Sequence, residues 1–342
     1  MKILIRMPNW LGDIVMAVPA VKSVRASFPK ARVDLLAPSW AGPIVEKSGI
    51  LDEFLPMATK NLPSSVTASR ALRERGYDLG ILLTNSFSSA FSMRLTGAKR
   101  RLGYATDGRG FLLTDRVEMP DRKNERHQVF YYLELARCAE RLLGSDPADA
   151  TVPDTSISFP DTAVVDADKF LLNLGVVPGR PIVTLGVGSA NSRAKRWPAA
   201  NFAALADRLQ QELGAVVLMV GSGSDHAAGA AVAASAKKPP LDLTGQTDIS
   251  RAAGILKRST AVVSNDMGLA HLSAAVGTPT FVVFGPTDPA ATRPFSDLAH
   301  VITVGVECSP CMLRECPIDH RCMTWVSPDK VLEEVRQALV PA

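Results

Sequence analysis

The chain has 342 residues, 46% of them hydrophobic and 21% charged, which fits an ordinary globular protein too long for one core and about right for two domains. No apolar run approaches the ~20 residues that span a bilayer, and aromatic residues, at 6%, are too few for the interleaved basic–aromatic surface of a nucleic-acid binder. The formal charge of +4 is unevenly placed: residues 1–158 hold 22 Lys and Arg against 17 Asp and Glu, and residues 159–342 hold 16 against 17. A small anionic partner or an anionic membrane surface suits the first half.

In chain order, residues 2–7 read as an apolar strand rather than the long apolar core of a signal peptide. With an odd number of cysteines, five, the expected compartment is the cytoplasm. The strand breaks at Pro8-Asn9-Trp10-Leu11-Gly12-Asp13, and a helix is predicted over 14–28. Strands follow at 33–37, 54–55 and 78–83, alternating with helices at 41–47, 64–75 and 86–95. Residues 94–126 change character, with nine Lys and Arg and five Asp and Glu, and read as irregular surface with short strands. A helix over 127–143 precedes a linker at 144–160, rich in Asp, Pro, Ser and Thr.

A second unit then alternates helices at 163–174, 198–213, 227–236 and 249–258 with strands at 181–187, 215–220 and 241–243. A strand at 260–263, a helix at 272–276 and a strand at 280–284 follow. This pattern predicts an α/β fold of two Rossmann-like, doubly wound domains, 1–158 and 159–342, facing across a cleft. The last helix is a candidate for packing back on the first domain.

Between the strand at 260–263 and its helix lies Ser264-Asn265-Asp266-Met267-Gly268-Leu269-Ala270-His271. A strand's carboxyl end followed by a helix N-terminus offers free N–H groups and partial positive charge to a phosphate. Met267 and Leu269 could close over a base or sugar, and the bland alternative makes Asp266 a helix cap. His271 is either a helix histidine or a phosphate contact. Asp13 at the first strand–helix turn could accept a proton as general base, or simply cap its helix. Ser189 and Lys195 bracket a small-residue loop that could cradle a diphosphate, with Lys195 neutralising a leaving phosphate. The alternative is a solvated basic loop.

Gly221-Ser222-Gly223-Ser224-Asp225-His226 resembles part of a dinucleotide fingerprint, with His226 where a third glycine belongs and Asp242 where a ribose-binding acid would sit. Asp225 could instead contact a ribose hydroxyl. Cys308, Cys311, Cys316 and Cys322, near His320, could hold zinc, but their spacing departs from paired C-x2-C, and free thiols packing a loop against the site are preferred.

Pro8-Asn9-Trp10-Leu11-Gly12-Asp13-Ile14-Val15-Met16, Asn265-Asp266-Met267-Gly268-Leu269-Ala270-His271 and Phe284-Gly285-Pro286-Thr287-Asp288-Pro289 together resemble glycosyltransferase family 9, the bacterial lipopolysaccharide heptosyltransferases, along nearly the whole chain. Asn9-Trp10 and the cysteine loop resemble its type II pattern. The resemblance implies a GT-B fold, ADP-L-glycero-D-manno-heptose as donor, a heptosylated Kdo–lipid A inner core as acceptor, and inversion in a single displacement. It implies Asp13 as base, Lys195 with Ser189 at the departing ADP, and Asp266 on donor sugar hydroxyls. Met267, Gly268 and Leu269 N–H groups, with His271, would hold the diphosphate. No catalytic metal or other cofactor is expected.

Arg94, Lys99, Arg100, Arg101, Arg122 and Lys123 are candidate contacts to the anionic acceptor, holding the protein at the inner face of the inner membrane. Nucleic acid is not an expected partner. Competing readings are type I of the same family, an NAD-dependent oxidoreductase using residues 221–242, a sugar-nucleotide epimerase of the same fold, and a non-enzymatic nucleotide-binding module.

Overall fold

A computed structural model describes residues 1–46, 49–57, 62–119, 126–145, 152–190 and 192–339. They fall into two compact units, Met1–Ile157 and Ser158–Ala342. The first unit runs β1 (Lys2–Arg6), α1 (Leu11–Ser27), β2 (Arg32–Pro38), α2 (Gly42–Val45), β3 (Glu53–Met57) and α3 (Leu62–Ala71). It continues with β4 (Leu79–Leu82), α4 (Phe87–Leu95), β5 (Arg100–Tyr104), β6 (Asp115–Val117) and α5 (Gln128–Leu142). The second opens with α6 (Asp161–Asn173), β7 (Ile182–Gly186), α7 (Ala199–Glu212), β8 (Val216–Met219), α8 (His226–Ser235), β9 (Leu241–Asp242) and α9 (Ile249–Arg258). It closes with β10 (Ala261–Asn265), α10 (Gly268–Ala275), β11 (Thr280–Val283), α11 (Pro289–Thr292), β12 (Ala299–Ile302), α12 (Arg321–Thr324) and α13 (Pro328–Leu339).

Each unit holds one parallel sheet. The orders are β3-β2-β1-β4-β5-β6 and β12-β11-β10-β7-β8-β9. In both, the first strand of the unit lies beside its second on one side and its fourth on the other. That is the doubly wound order, and the chain reverses direction across the sheet at β1/β4 and at β7/β10. The central strands are apolar on both faces, as a sheet covered by helices requires: Ile3, Leu4 and Ile5 in β1 and Ala261, Val262 and Val263 in β10 are all buried.

The structure departs from the sequence reading in three places. Residues 94–126 contain the short strands expected there, β5 and β6, but these are members of the sheet rather than pieces of an irregular surface. They are short strands towards one edge, and their charged residues hide a buried run, Leu102-Gly103-Tyr104. A further strand, β12, follows the last one predicted and pairs with β11. The last helix, α13, packs within its own unit, where Val331, Leu332 and Val335 join the core formed with Val183, Phe202 and Val263. Among the described residues no helix is long and apolar enough to cross a membrane.

The first unit contains all four tyrosines of the chain, and three of them are buried and donate to a polar partner. Tyr77 Oη donates to Asp34 (2.7 Å), Tyr104 Oη to the Tyr131 carbonyl (2.8 Å) and Tyr132 Oη to Asp13 (3.0 Å). Burial, before any neighbouring charge, raises all three phenols above their ordinary value. The folded unit thus favours neutral tyrosine. Its contribution to stability is present below the unfolded value of ~10 and is lost as pH rises above it. In an alkaline titration the tyrosinate absorbance of these side chains should appear late and together with unfolding of the first unit. Ionisation near pH ~10 with the fold intact would contradict this burial.

Candidate active site

In the second unit the loops after β7, β10 and β11 follow three adjacent strands. Asn265, the last residue of β10 and fully buried, ties them together. Its Nδ2 donates to the carbonyls of Val187 (2.9 Å) and Gly188 (3.0 Å), and its Oδ1 accepts from the Trp197 N–H (2.9 Å). The β7 loop is thereby fixed at both ends, and Lys195, in a short 3-10 turn between them, is aimed at β10. Lys195 Nζ donates to Asp266 Oδ2 at 2.7 Å. Asp266 is 6% exposed, and the same oxygen accepts from Thr287 Oγ1 at 2.8 Å. The pair stands at the β7/β10 reversal, where parallel sheets receive ligands.

Met267 takes the extended backbone of an N-cap, so Asp266 lies one residue before the cap and does not itself cap the helix. Gly268 and Leu269 open α10, and their N–H groups are among the helix's unpaired donors. His271 is buried in the same helix, and Ser189 is buried in the β7 loop, where its carbonyl accepts from Arg196 Nη2 at 3.0 Å. Ser189, Lys195, Asp266, Met267, Gly268, Leu269 and His271 therefore belong to neighbouring loops and one helix start.

Asp225 has a different place. It is buried, and its Oδ2 accepts from the Ser222 N–H (2.9 Å) and the Ser222 hydroxyl (2.8 Å). A Cβ added to Gly188 would run into Oδ1. This carboxylate is tied to Ser222 within the β8 loop and packs closely against Gly188 of the β7 loop. Asp242 is likewise occupied, accepting from the N–H (3.0 Å) and hydroxyl (2.7 Å) of Thr244. The glycines at 221 and 223 follow β8, the second strand of the unit, whereas a dinucleotide fingerprint follows the first, so the oxidoreductase reading loses its site.

The cysteine segment braces Lys195. The Arg314 carbonyl accepts from the Ala194 N–H (3.0 Å), His320 Nε2 meets the Ala194 carbonyl (2.6 Å), and the Met312 N–H donates to the Pro286 carbonyl (2.8 Å). Cys308 and Cys311 are exposed, Cys316 is half-buried and Cys322 is buried, all as free thiols. Burial, then the neighbouring cysteines, pushes the Cys322 thiol up to about 11. Among the described residues no three His, Cys, Asp or Glu side chains gather as a metal site. The sequence does contain one Asp-x-Asp, Asp166-Ala167-Asp168, which the expectation of metal-free chemistry passed over. Both carboxylates lie on α6 and pair with Arg251 (2.8 Å) and Arg258 (2.7 Å).

In the first unit Asp13 lies in the first turn of α1, just past the carboxyl end of β1. The N-cap is Trp10, so Asp13 is not the cap that the bland reading made it. Its Oδ1 accepts from Tyr132 Oη (3.0 Å) and Gln128 Nε2 (3.3 Å), both on α5. Burial, then the Asp13 charge, raises the Tyr132 phenol well above its ordinary value, so it remains a donor to the carboxylate.

Of the basic residues expected to meet the acceptor, the described ones lie away from the carboxyl edge that carries Asp13. Lys99 and Arg100 lie at the amino end of β5, the opposite edge from Asp13, and pair with Asp78 (2.8 Å) and Asp115 (2.5 Å). Arg101 donates to the carbonyls of Leu112 and Ala98, both at 2.8 Å. Arg94 is exposed in the last turn of α4, where the chain returns to that edge. Arg122 and Lys123 lie outside the described residues.

The sequence reading did not single out Asn265, Thr287, Gln128 or Tyr132. Thr287 and Asn265 stood inside quoted motifs, next to residues that were chosen. Gln128 and Tyr132 carried only one signal, two polar groups four apart on the amphipathic α5.

The pattern of glycosyltransferase family 9 (heptosyltransferase) matches residues 66–321. Lipopolysaccharide heptosyltransferase 2 of Escherichia coli K12 is 29% identical over 351 aligned positions, covering 99% of both chains. Lipooligosaccharide heptosyltransferase 2 of Haemophilus ducreyi is 30% identical, again over 99% of both. The solved structure of E. coli ADP-heptose lipopolysaccharide heptosyltransferase II superposes with a TM-score of 0.83 at 27% identity, covering 99% of this chain and 98% of that one. With two doubly wound units of the kind from which a GT-B enzyme is built, the chain belongs to glycosyltransferase family 9, the heptosyltransferases.

Proposed function

We propose that the protein transfers L-glycero-D-manno-heptose from ADP-heptose to the heptosylated Kdo–lipid A inner core, the reaction of heptosyltransferase II, with inversion in one displacement. The observation that carries this reading is the Lys195–Asp266–Thr287 cluster beside the start of α10, in a chain matched end to end by proteins of that name. A lysine and unpaired helix N–H groups suit a leaving diphosphate, because both stabilise the charge that grows as ADP departs.

The acceptor hydroxyl oxygen attacks the anomeric carbon of heptose. The bond from that carbon to the β-phosphate oxygen breaks, and the electron pair leaves with ADP. Asp13 receives the hydroxyl proton, while Gln128 and Tyr132 fix the orientation of its carboxylate through Oδ1. Asp266 keeps Lys195 in place before the donor arrives and then receives donor sugar hydroxyls. Ser189, His271 and the N–H groups of Met267, Gly268 and Leu269 complete the phosphate contacts. A lipid-linked acceptor would place the protein at the inner face of the inner membrane.

Product mass after incubation with ADP-heptose and defined core acceptors tests the reaction. A gain of one heptose only on the heptosylated acceptor is expected; transfer only to an acceptor without heptose would point to type I. Asp13→Ala should lower turnover by roughly 10²–10⁴-fold and leave ADP affinity within a few fold. Residual turnover with lost ADP affinity would contradict the role of Asp13. Tyr132→Phe removes one hydrogen bond to the base, so kcat should fall about tenfold with the donor KM unchanged. An unchanged kcat would remove Tyr132 from the account.

A further inference from the structure

Arg6 ends β1, the central strand of the first sheet, at the edge where Asp13 lies. It is 4% exposed. A buried guanidinium is ordinarily matched by a carboxylate or by a full set of carbonyls, because taking a charge out of water costs several kcal/mol. The same unit shows the second solution. Arg109, fully buried, donates to the carbonyls of Tyr104, Thr84 and Ser86, to the Ser89 hydroxyl and to Asn85 Oδ1. Those five acceptors come from the chain around it, so Arg109 is satisfied by the fold.

Arg6 has neither solution. Its hydrogen bonds run to the Met7 carbonyl and to Asn9 Oδ1 (2.6 Å), and among the described residues it pairs with no carboxylate. Both acceptors are neutral. Burial lowers its pKa to about 10, which leaves it charged at neutral pH. Asn9 itself is exposed, on the loop between β1 and α1. Its amide oxygen therefore occupies the outer side of the guanidinium with a weak partner that can swing into water. An anionic oxygen taking that position would make a charge-assisted bond in its place, roughly twice as strong.

We propose that Arg6, gated by Asn9, binds an anionic oxygen of the acceptor saccharide, a sugar carboxylate or a phosphate, and so selects acidic acceptors for presentation to Asp13. The inference rests on the heptosyltransferase reading above and adds the residue that reads the acceptor's charge. It also replaces the contacts at the amino edge, where Lys99, Arg100 and Arg101 are held by partners within the unit.

The test uses the full chain, ADP-heptose and three acceptors: the native core saccharide, the same saccharide with its carboxylates reduced to alcohols, and the same saccharide with its phosphates removed. Wild type should lose roughly tenfold to a hundredfold in kcat/KM on one of the two altered acceptors, mainly through KM. The acceptor that suffers identifies the anion. Arg6→Gln should show the same loss on the native acceptor, no further loss on that altered one, and an unchanged donor KM. Arg6→Lys, which keeps the charge, should recover part of the discrimination. The proposal is overturned if wild type treats all three acceptors alike, or if Arg6→Gln loses the same factor on all of them, as a purely structural residue would. Should Arg6→Gln fail to fold, the wild-type comparison and Arg6→Lys decide the matter. Absence of turnover by wild type on the native acceptor would instead refute the proposed function.

Discussion

The ion pair between Lys195 and Asp266 is the interaction on which the rest of the site depends. It joins a cation from the β7 loop to a carboxylate just past β10, across the point where the sheet reverses. Asp266 is almost wholly buried, so it would be an expensive anion without its lysine, and Thr287 takes part of the remaining hydrogen-bonding need of the same oxygen. Lys195 is a flexible side chain that would otherwise wander in solvent. The pair resolves both difficulties, and it leaves a positive charge waiting beside a helix N-terminus.

That arrangement is possible because neighbouring residues fix the backbone on either side. Asn265 binds the loop before and after Lys195, Arg314 and His320 hold Ala194, and the Asp225 carboxylate packs closely against Gly188 of the same loop. Asn265 does this with a buried side-chain amide, while Arg314 lends its backbone carbonyl and His320 its ring, so that loop groups find hydrogen-bond partners. The first unit has the same strand order and a different occupant. Past its first strand lies a carboxylate steered by Gln128 and Tyr132, with a buried arginine a few residues upstream. One fold used twice thus presents a part-buried lysine–carboxylate pair in one unit and a hydrogen-bonded carboxylate in the other, which the proposed reaction uses as phosphate grip and as base.

Much of this was legible in the sequence because the information is local. Buried parallel strands are continuous apolar runs, so β1, β4, β7, β8 and β10 stand out, and each strand–turn–helix junction marks a carboxyl edge. The motifs at Asp13, Lys195 and Asp266 fall at such junctions. What was missed depends on long-range placement. Tyr132 reaches Asp13 from 119 residues away, and nothing local reveals that pairing. The charge excess of the first half counts lysines and arginines without saying which edge of the sheet carries them. Lys99 and Arg100 proved to be at the amino edge with carboxylate partners. Arg6, read as one more strand residue, gained its meaning only from burial. The short strands of residues 94–126 were expected, but their place in the sheet was hidden for the opposite reason, since polar residues mask a short buried run.

The most direct test of the central claim is calorimetric titration with ADP and AMP of wild type and of Lys195→Met combined with Asp266→Asn, which leaves no unpaired carboxylate behind. If the pair is the diphosphate grip, wild type should bind ADP at least about tenfold more tightly than AMP, and the double variant should lose most of that preference. An ADP-to-AMP ratio equal in the two proteins would contradict it.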